Sequence, residues 1–176
     1  MQTFNLSANI ENWFAKGMQY IVTPNAQNVV NNLINGFKTG IHSYTIIGTY
    51  GTGKSSFLLA LEADLDKKNR SKYLLNPKLL SECTEFEILN IVGDYADLSV
   101  LLGRKLNMEG ASNSVLDELK AYYQRLAKEN KFLLLVIDEF GKVLEHASKK
   151  NPEQELYILQ KLAEFVNVPS RKILLI

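Results

Sequence analysis

Glycines, a lysine and a serine stand at fixed spacing in the segment Gly48-Thr49-Tyr50-Gly51-Thr52-Gly53-Lys54-Ser55, which matches the pattern G-x-x-x-x-G-K-[ST] at every fixed position. Glycines let a backbone turn tightly enough for its N–H groups to converge on phosphate oxygens. The amine of Lys54 then reaches the β- and γ-phosphates of a nucleotide, and the hydroxyl of Ser55 ligates Mg²⁺. We call this segment the glycine loop.

The residues around the glycine loop must hold it in place. The apolar run 43–47 predicts a strand before it, and residues 56–62 predict a helix after it, whose N-terminus adds a positive dipole end to an anion site. A glycine-rich turn that matches by chance would lack this context. The residues predicted to bind the nucleotide are Gly48, Thr49, Tyr50, Gly51, Thr52, Gly53, Lys54, Ser55 and Ser56, and Lys54 is also predicted to act in catalysis by neutralising charge.

A second group of chemistry-bearing residues follows the apolar run 131–137. Such a run indicates a strand buried on both faces, as in a parallel sheet covered by helices. Asp138 and Glu139 then lie at the carboxyl end of the strand, where open α/β sheets bind ligands. Alone, this pair is more typical of a turn or helix cap, but the glycine loop upstream favours chemistry. Asp138 is predicted to ligate Mg²⁺, and Glu139 to polarise the water that attacks the γ-phosphate.

The composition is that of a soluble globular domain. The chain has 176 residues, 46% of them hydrophobic and 22% charged, enough for one domain with a substantial core. The net charge of +1 gives no support to a nucleic-acid partner, which stays a possibility, and the basic run 67–72 reads as a solvated loop. Neither a signal peptide nor an apolar stretch of about 18 residues is present, so we expect a cytoplasmic protein without a membrane partner.

Few residues outside the two motifs suggest other chemistry. Cys83 is the only cysteine, which excludes an intramolecular disulfide and a multi-cysteine metal site. His42 and His146 have no partner at metal-ligand spacing, so we expect them to be solvent-exposed or structural. These residues therefore carry no second function at this stage.

Helices and strands are predicted to alternate along the chain. Residues 1–40 form a helical lead-in, in which Thr23 caps a helix that starts at Pro24 and ends near Gly36. The other predicted elements are strands at 43–47, 85–92, 131–137 and from about 172, and helices at 56–62, 96–106, 112–130 (capped by Ser112 or Ser114) and 153–167. Alternation of this kind predicts an α/β P-loop NTPase fold over residues 41–176, with a parallel sheet flanked by helices on both faces.

The segment 171–176 reads as the start of a buried strand, at which the sequence stops. A domain that ends on a bare apolar strand has an unprotected edge that invites aggregation. We therefore expect the 176 residues to be the front portion of a longer protein, with a fold that is incomplete at its C-terminus.

The glycine loop, the helical lead-in and the segment Val136-Ile137-Asp138-Glu139-Phe140-Gly141-Lys142 together resemble the ATP-binding core of AAA+ and related STAND-type ATPases. The chain is similar in particular to large bacterial ATPases whose loop reads G-x-Y-G-[ST]-G-K-S and whose acidic strand ends in I-D-E-F-G-K. The resemblance covers residues 15–176. It implies ATP and Mg²⁺ as ligands, ATPase activity, and self-association or a partner protein. Some of these ATPases belong to phage-defence operons, and related ones act on DNA.

The resemblance also marks residues outside the two motifs. In the family, the segment before the first strand contributes to the adenine pocket, and Tyr20, Ile21 and Val22 occupy the matching region. A helix-capping core cluster explains the same three residues equally well. The family's sensor residue and helical lid would follow the strand that begins near Lys172, beyond the end of this sequence.

An arginine finger cannot be assigned from the sequence. Arg171 is excluded because it lies at the start of its strand, hence at the sheet edge opposite the nucleotide. Arg104 and Arg125 are candidates to face a neighbouring subunit, but nothing in the sequence selects either. Since an arginine supplied in trans contributes roughly 10³–10⁵ in rate, slow turnover is expected.

Two functions from different classes follow from these residues. The first is an ATPase that couples Mg-ATP hydrolysis to conformational change in C-terminal or partner domains. The second is a nucleotide-gated scaffold that binds ATP with little hydrolysis. A GTPase is disfavoured because the sequence lacks an N-K-x-D motif, an ABC-type ATPase because it lacks an L-S-G-G-Q-like signature, and a small-molecule kinase because it lacks an arginine-rich lid.

Overall fold

The computed structural model describes residues 20–66, 73–83, 85–108, 114–150 and 152–176. Helices and strands alternate in these ranges, together with a 3₁₀ turn at Pro77–Leu79. The helices are α1 (Pro24–Lys38), α2 (Lys54–Leu65), α3 (Leu98–Lys105), α4 (Val115–Lys128), α5 (Phe140–Lys150) and α6 (Pro152–Val166). The strands are β1 (Glu85–Val92), β2 (Lys131–Asp138) and β3 (Ile173–Leu175). The helical prediction for residues 1–19 and the basic run 67–72 lie outside the described residues.

The three strands form one parallel sheet in the order β1-β2-β3. The register pairs Glu85 with Lys131 at one end and Val92 with Asp138 at the other, so β1 and β2 finish side by side. The carboxyl ends of parallel strands meet at one edge of a sheet, and this is the edge at which ligands bind in α/β folds. The sheet therefore places the acidic pair where the glycine loop can approach it.

Strand β2 is buried on both faces, as its uninterrupted apolar sequence predicts. Successive side chains of a strand point to opposite faces. Phe132, Leu134 and Val136 pack in the core that includes α1 and α2, whereas Leu133 and Leu135 pack in the core that includes α3, α4, α5 and α6. The prediction of an α/β fold with helices on both faces of a parallel sheet is confirmed.

The predicted strand at 43–47 is wrong as a full strand. Ser43 forms one isolated parallel bridge with Leu175; the N–H of Tyr44 donates to the Leu175 carbonyl at 2.9 Å, and the N–H of Leu175 donates to the His42 carbonyl at 2.8 Å. The bridge joins this segment to the edge of β3, Ile173–Leu175. Ile47 is consequently 91% exposed, although it belongs to an apolar run.

The helix before the glycine loop forms as predicted. The hydroxyl of Thr23 accepts a hydrogen bond from the N–H of Ala26 at 3.2 Å, and Pro24 begins α1. Gly36 lies near the end of this helix, as predicted, two residues before Lys38. A Cβ at Gly36 would lie 1.8 Å from the hydroxyl of Tyr44, which donates to the carbonyls of Leu33 and Ile41. The glycine is thus explained by close packing, not by helix termination.

The remaining helices differ from expectation mainly at their ends. Strand 85–92 and the helices predicted at 56–62, 96–106 and 153–167 are confirmed with small shifts of their bounds. Ser114 takes the N-cap position of α4 without making a side-chain capping bond, while Ser112 lies outside the described residues. Helix α5 was missed, although Val143 and Ala147 are buried at helical spacing. Within the described ranges, no helix is both long and apolar enough to cross a membrane.

Candidate functional site

The glycine loop turns into α2 through two glycines with left-handed backbone angles. Gly51 has a φ of +79° and Gly53 a φ of +84°, and residues that carry a Cβ rarely adopt such values. Gly53 occupies the N-cap position of α2 and provides no side-chain cap. The first-turn amides of α2 therefore keep the arrangement by which helix N-termini bind anions.

Lys54 is folded back onto its own loop. Its Nζ donates to the carbonyl of Gly48 at 2.8 Å and to that of Thr49 at 2.9 Å. The hydroxyl of Thr52 donates to the same Thr49 carbonyl at 2.8 Å. Tyr50, at the tip, is 96% exposed. To reach a phosphate, the Lys54 amine must exchange these two carbonyl oxygens for phosphate oxygens.

Asp138 joins the glycine loop to the sheet. Its Oδ2 accepts a hydrogen bond from the hydroxyl of Ser55 at 2.8 Å, across 83 residues of sequence. Its Oδ1 accepts from the backbone N–H of Glu139 at 2.9 Å. Both carboxylate oxygens are therefore oriented, and the two sequence motifs meet in one place.

The oxygens of Ser55 and Asp138 fit a magnesium ion. Mg²⁺ prefers hard oxygen ligands and is usually held by one or two protein groups together with water and substrate phosphates. In the described ranges, no group of three or more His, Cys, Asp or Glu residues is placed to hold a metal ion by itself. The donor set thus suits a metal that arrives with a nucleotide rather than one in a closed protein cage.

Glu139 has a strained backbone and a half-exposed side chain. Its φ is +53°, in the left-handed region that non-glycine residues seldom adopt, and such strain is concentrated at functional sites. Its carboxylate forms an ion pair with Lys142 in the first turn of α5. The hydrogen bond between the Lys142 ammonium and the Glu139 carboxylate raises the pKa of Lys142. For Glu139 to act on a water molecule, its carboxylate must leave Lys142.

Gly93 is a site residue that the sequence analysis missed. Its N–H donates to the carbonyl of Asp138 at 2.8 Å, where β1 and β2 end together. A Cβ here would lie 2.5 Å from the carbonyl oxygen of Glu139. A glycine directly after the predicted strand 85–92 was the available signal.

Glu62 and Asn90 form a buried polar pair that was also missed. Glu62, on α2, is 1% exposed, and its Oε2 accepts from the side-chain amide of Asn90 on β1 at 2.9 Å. Glu62 Oε1 and Asn90 Oδ1 are buried without a hydrogen-bond partner in the structure as described. Burial raises the pKa of Glu62 to about 7, with a smaller contribution in the same direction from Asp138; the Asn90 hydrogen bond and Lys105 lower it.

The segment that leads into the glycine loop is fixed by Asn167, the residue that follows α6. The backbone N–H of His42 donates to Asn167 Oδ1 at 2.6 Å, and Asn167 Nδ2 donates to the hydroxyl of Ser43 at 2.7 Å. The His42 ring is fully buried and stacks on Phe37 at 4.1 Å between centroids. Burial lowers its pKa, against a smaller opposing effect of the Phe37 and Val166 backbones. Of the two expectations for His42, the structural one is correct.

The other basic candidates have structural contacts. The Nε2 of His146 lies 3.1 Å from the Oδ1 of Asp97, the N-cap residue of α3, so this contact links α5 to the start of α3. The guanidinium of Arg171 stacks over the ring of Phe165, and it donates to the carbonyl of the same residue, consistent with its exclusion as a finger. Arg125 lies over the Tyr122 ring, at 5.7 Å from its centroid.

The adenine-pocket candidates divide into two groups. The ring of Tyr20 packs edge-on against that of Tyr73, with 6.1 Å between the ring centroids, and it contacts the core beside α1. Ile21 is 84% exposed and Val22 is 38% exposed. Tyr20 therefore fits the core-cluster alternative, while an adenine contact for Ile21 and Val22 stays a prediction.

A cavity of about 420 Å³ opens beside the carboxyl end of β1. It is lined by Asn90, Ile91, Val92, Gly93, Asp94, Leu101, Arg104, Lys105 and Lys142. No residue of the glycine loop contributes to it. The cavity neighbours the acidic end of the sheet without being the place where the two motifs meet.

Comparison with known proteins supports the fold. No protein-family model and no curated protein matches the sequence. Among solved structures, the chain is similar to the ORC2 protein of Aeropyrum pernix, determined as ADPNP–ADP complexes, with a TM-score of 0.55 and 18% identity. The match covers 94% of this chain but only 43% of that protein, so the chain spans less than half of its neighbour's length. The chain therefore shares the α/β fold of this protein, with a parallel sheet between two layers of helices.

Proposed function

We propose that the chain binds Mg-ATP at the glycine loop and hydrolyses it. The observation that carries this proposal is the 2.8 Å hydrogen bond between Ser55 and Asp138, because it brings a hydroxyl and a carboxylate together at the first turn of α2. The similarity to a protein determined with ADPNP and ADP supports a nucleotide as the ligand.

Each residue of the site has a separate role in this proposal. The amides of Gly51, Gly53 and the first turn of α2 bind phosphate oxygens, and Lys54 leaves the loop carbonyls to bind the β- and γ-phosphates. Ser55 and Asp138 hold Mg²⁺, which when bound neutralises charge on the phosphates. Glu139 accepts the proton of the attacking water after it separates from Lys142.

A nucleotide-gated scaffold is the second candidate. The ion pair between Glu139 and Lys142 favours it, because a carboxylate held by an ammonium group is a poor base. In this alternative ATP binds, the pair persists and hydrolysis is slow. Turnover measured with saturating Mg-ATP separates the two candidates.

The biological setting is also proposed. We infer a cytoplasmic protein whose core, residues 41–176, acts with further domains, a second copy or a partner protein; roles in defence or on DNA rest on the resemblance alone. The exposure of Tyr50 and Ile47 beside the site supports a protein contact there, since such side chains are favoured at interfaces.

Calorimetric titration of ATP, with GTP in parallel, tests the nucleotide site. With Mg²⁺ present, we expect ATP to bind and Lys54→Ala to weaken binding on the order of 100-fold, since two charge-assisted hydrogen bonds to phosphate are lost. Lys38→Ala, at an exposed lysine that ends α1, is the matched control. Unchanged ATP affinity in Lys54→Ala would remove the glycine loop from the site.

A further inference from the structure

Glu62 is an unusual residue in α2. From Phe57 to Leu65 this helix is largely buried and apolar, and only Glu62 and Asp64 interrupt it. The carboxylates of Asp64 and Glu62 differ in the number of hydrogen bonds that they accept. Asp64 accepts hydrogen bonds from the backbone N–H groups of Tyr73, Leu74 and Leu75 at 2.6–2.8 Å.

Glu62, in contrast, has one oxygen bonded to Asn90 and the other buried without a hydrogen-bond partner among the described residues. A buried polar atom left without a partner costs about 1–3 kcal/mol, so this arrangement is not explained by stability. Asp64 is thus accounted for as a structural anchor, whereas Glu62 is not.

The position of Glu62 relates it to the candidate metal ligands. It follows Ser55 by seven residues, or two helical turns, so both side chains lie on the same face of α2. Asn90 lies two residues before Val92, which pairs with Asp138 in the sheet. Since side chains alternate along a strand, Asp138 lies on the side of the sheet that faces α2, as Asn90 does, so Glu62 and Asp138 share one side of the sheet. The Asp138 charge contributes to the raised pKa of Glu62.

We propose that Glu62, held by Asn90, is a positioning residue of the magnesium–nucleotide site that supplies a second buried negative charge on the same side of the sheet as Asp138 and so sets the affinity for Mg²⁺. This role rests on the proposed function. It goes beyond the two motifs because neither contains Glu62 or Asn90.

The charges around Glu62 explain how it would act. The negative charge of Asp138 on β2 disfavours ionisation of Glu62. The positive charge of Lys105 on α3 favours it, and so does the hydrogen bond that Asn90 on β1 donates to the Glu62 carboxylate. When Mg²⁺ binds between Ser55 and Asp138, its positive charge favours the ionised form of Glu62. Linkage requires the converse as well: ionised Glu62 strengthens Mg²⁺ binding.

Glu62→Gln separates this role from a purely structural one. The glutamine amide has the size of the carboxyl group and has both a donor and an acceptor for Asn90, so it can satisfy both buried atoms that lack partners. We expect the melting temperature to stay equal or rise, ATP affinity without Mg²⁺ to stay unchanged, and Mg²⁺-dependent affinity to fall at least about fivefold. A structural role alone predicts no change in the Mg²⁺ dependence.

Glu87→Gln is the matched control. Glu87 lies on the same strand as Asn90, on the opposite face, where its carboxylate accepts from the hydroxyl of Tyr122. The register pairs it with Leu133, five residues and about 16 Å along the strand from Asp138. This variant removes the same charge and should leave Mg²⁺ affinity unchanged.

Proton release gives a readout on the unaltered protein. Mg²⁺ titrations of the ATP-saturated protein at pH 7, in buffers of different ionisation enthalpy, should show up to about half a proton more released by wild type than by Glu62→Gln. Wild type that binds Mg-ATP, with equal proton release and equal Mg²⁺ dependence in the variant, overturns the role of Glu62 alone. Wild type that does not bind Mg-ATP overturns the proposed function as well.

Discussion

The glycine loop and the acidic end of β2 are the two sides of the proposed site, yet they are held in place by different interactions. The loop is exposed, its backbone leaves the sheet after a single bridge, and its lysine is bonded to its own carbonyls. Asp138 is buried at the end of an eight-residue strand, with both carboxylate oxygens bonded.

This difference indicates which side must change when a ligand binds. The carboxylate side is preorganised, because its atoms are fixed by the β1–β2 ladder and by backbone amides. The cationic side has to exchange bonds within the loop for bonds to phosphate. We therefore expect substitutions at the acidic end to affect stability and turnover, and substitutions in the loop to affect binding.

The largest expected effect is on turnover. Glu139→Gln should reduce the rate of ATP hydrolysis on the order of 10²–10⁴-fold, because the amide cannot accept the proton of the attacking water. Nucleotide affinity should stay close to that of wild type. A phosphate-release assay at saturating Mg-ATP measures the rate, with Glu145→Gln, an exposed residue of α5, as the control. Full activity in Glu139→Gln would contradict its role as a base.

The next effect contrasts two glycines. Gly93→Ala places a Cβ against the backbone of Glu139, so we expect the free energy of unfolding to fall by about 3 kcal/mol. Gly51→Ala meets nothing within 4 Å and has only its positive φ to oppose it, a cost of about 1–2 kcal/mol.

Urea denaturation measures both glycine variants, and the ATP titration supplies the second comparison. Gly51→Ala should weaken ATP binding more than Gly93→Ala does, in reverse order to their effects on stability. If the two variants rank in the same order for stability and for binding, the contrast between the two sides is wrong.

The smallest effect concerns pH. Burial raises the pKa of Glu62 to about 7, so the folded protein holds its proton more tightly than the unfolded chain does. This contribution to stability is complete below about pH 4.5 and is lost as pH rises through 7. Between pH 5 and 8, wild type should lose on the order of 2 kcal/mol relative to Glu62→Gln. Parallel stability curves for the two proteins would exclude a raised pKa.

The sequence predicts those parts of the molecule in which local pattern and position coincide. The contact of Ser55 with Asp138 is foreseeable because a parallel sheet aligns its carboxyl ends, and the motifs mark two of those ends. The extent of the strand predicted at 43–47 is not foreseeable, since it is decided by pairing with a segment that is distant in sequence.

The pair formed by Glu62 and Asn90 also escapes sequence reasoning. It depends on the rotation of α2 against β1, which no local pattern specifies. The signal within reach was a glutamate inside a nine-residue run that is otherwise nearly all apolar, because burying a charged residue needs an explanation.

The hydrogen bonds of Asn167 also bear on the order of folding and synthesis. This side chain fixes the backbone of His42 across 125 residues, and Asp138 fixes Ser55 across 83. Contacts so distant in sequence close large loops and form slowly. As a nascent chain leaves the ribosome from its N-terminus, the glycine loop emerges long before the segments that support it. A nucleotide bound as proposed would therefore stabilise the folded protein without templating the early steps of folding.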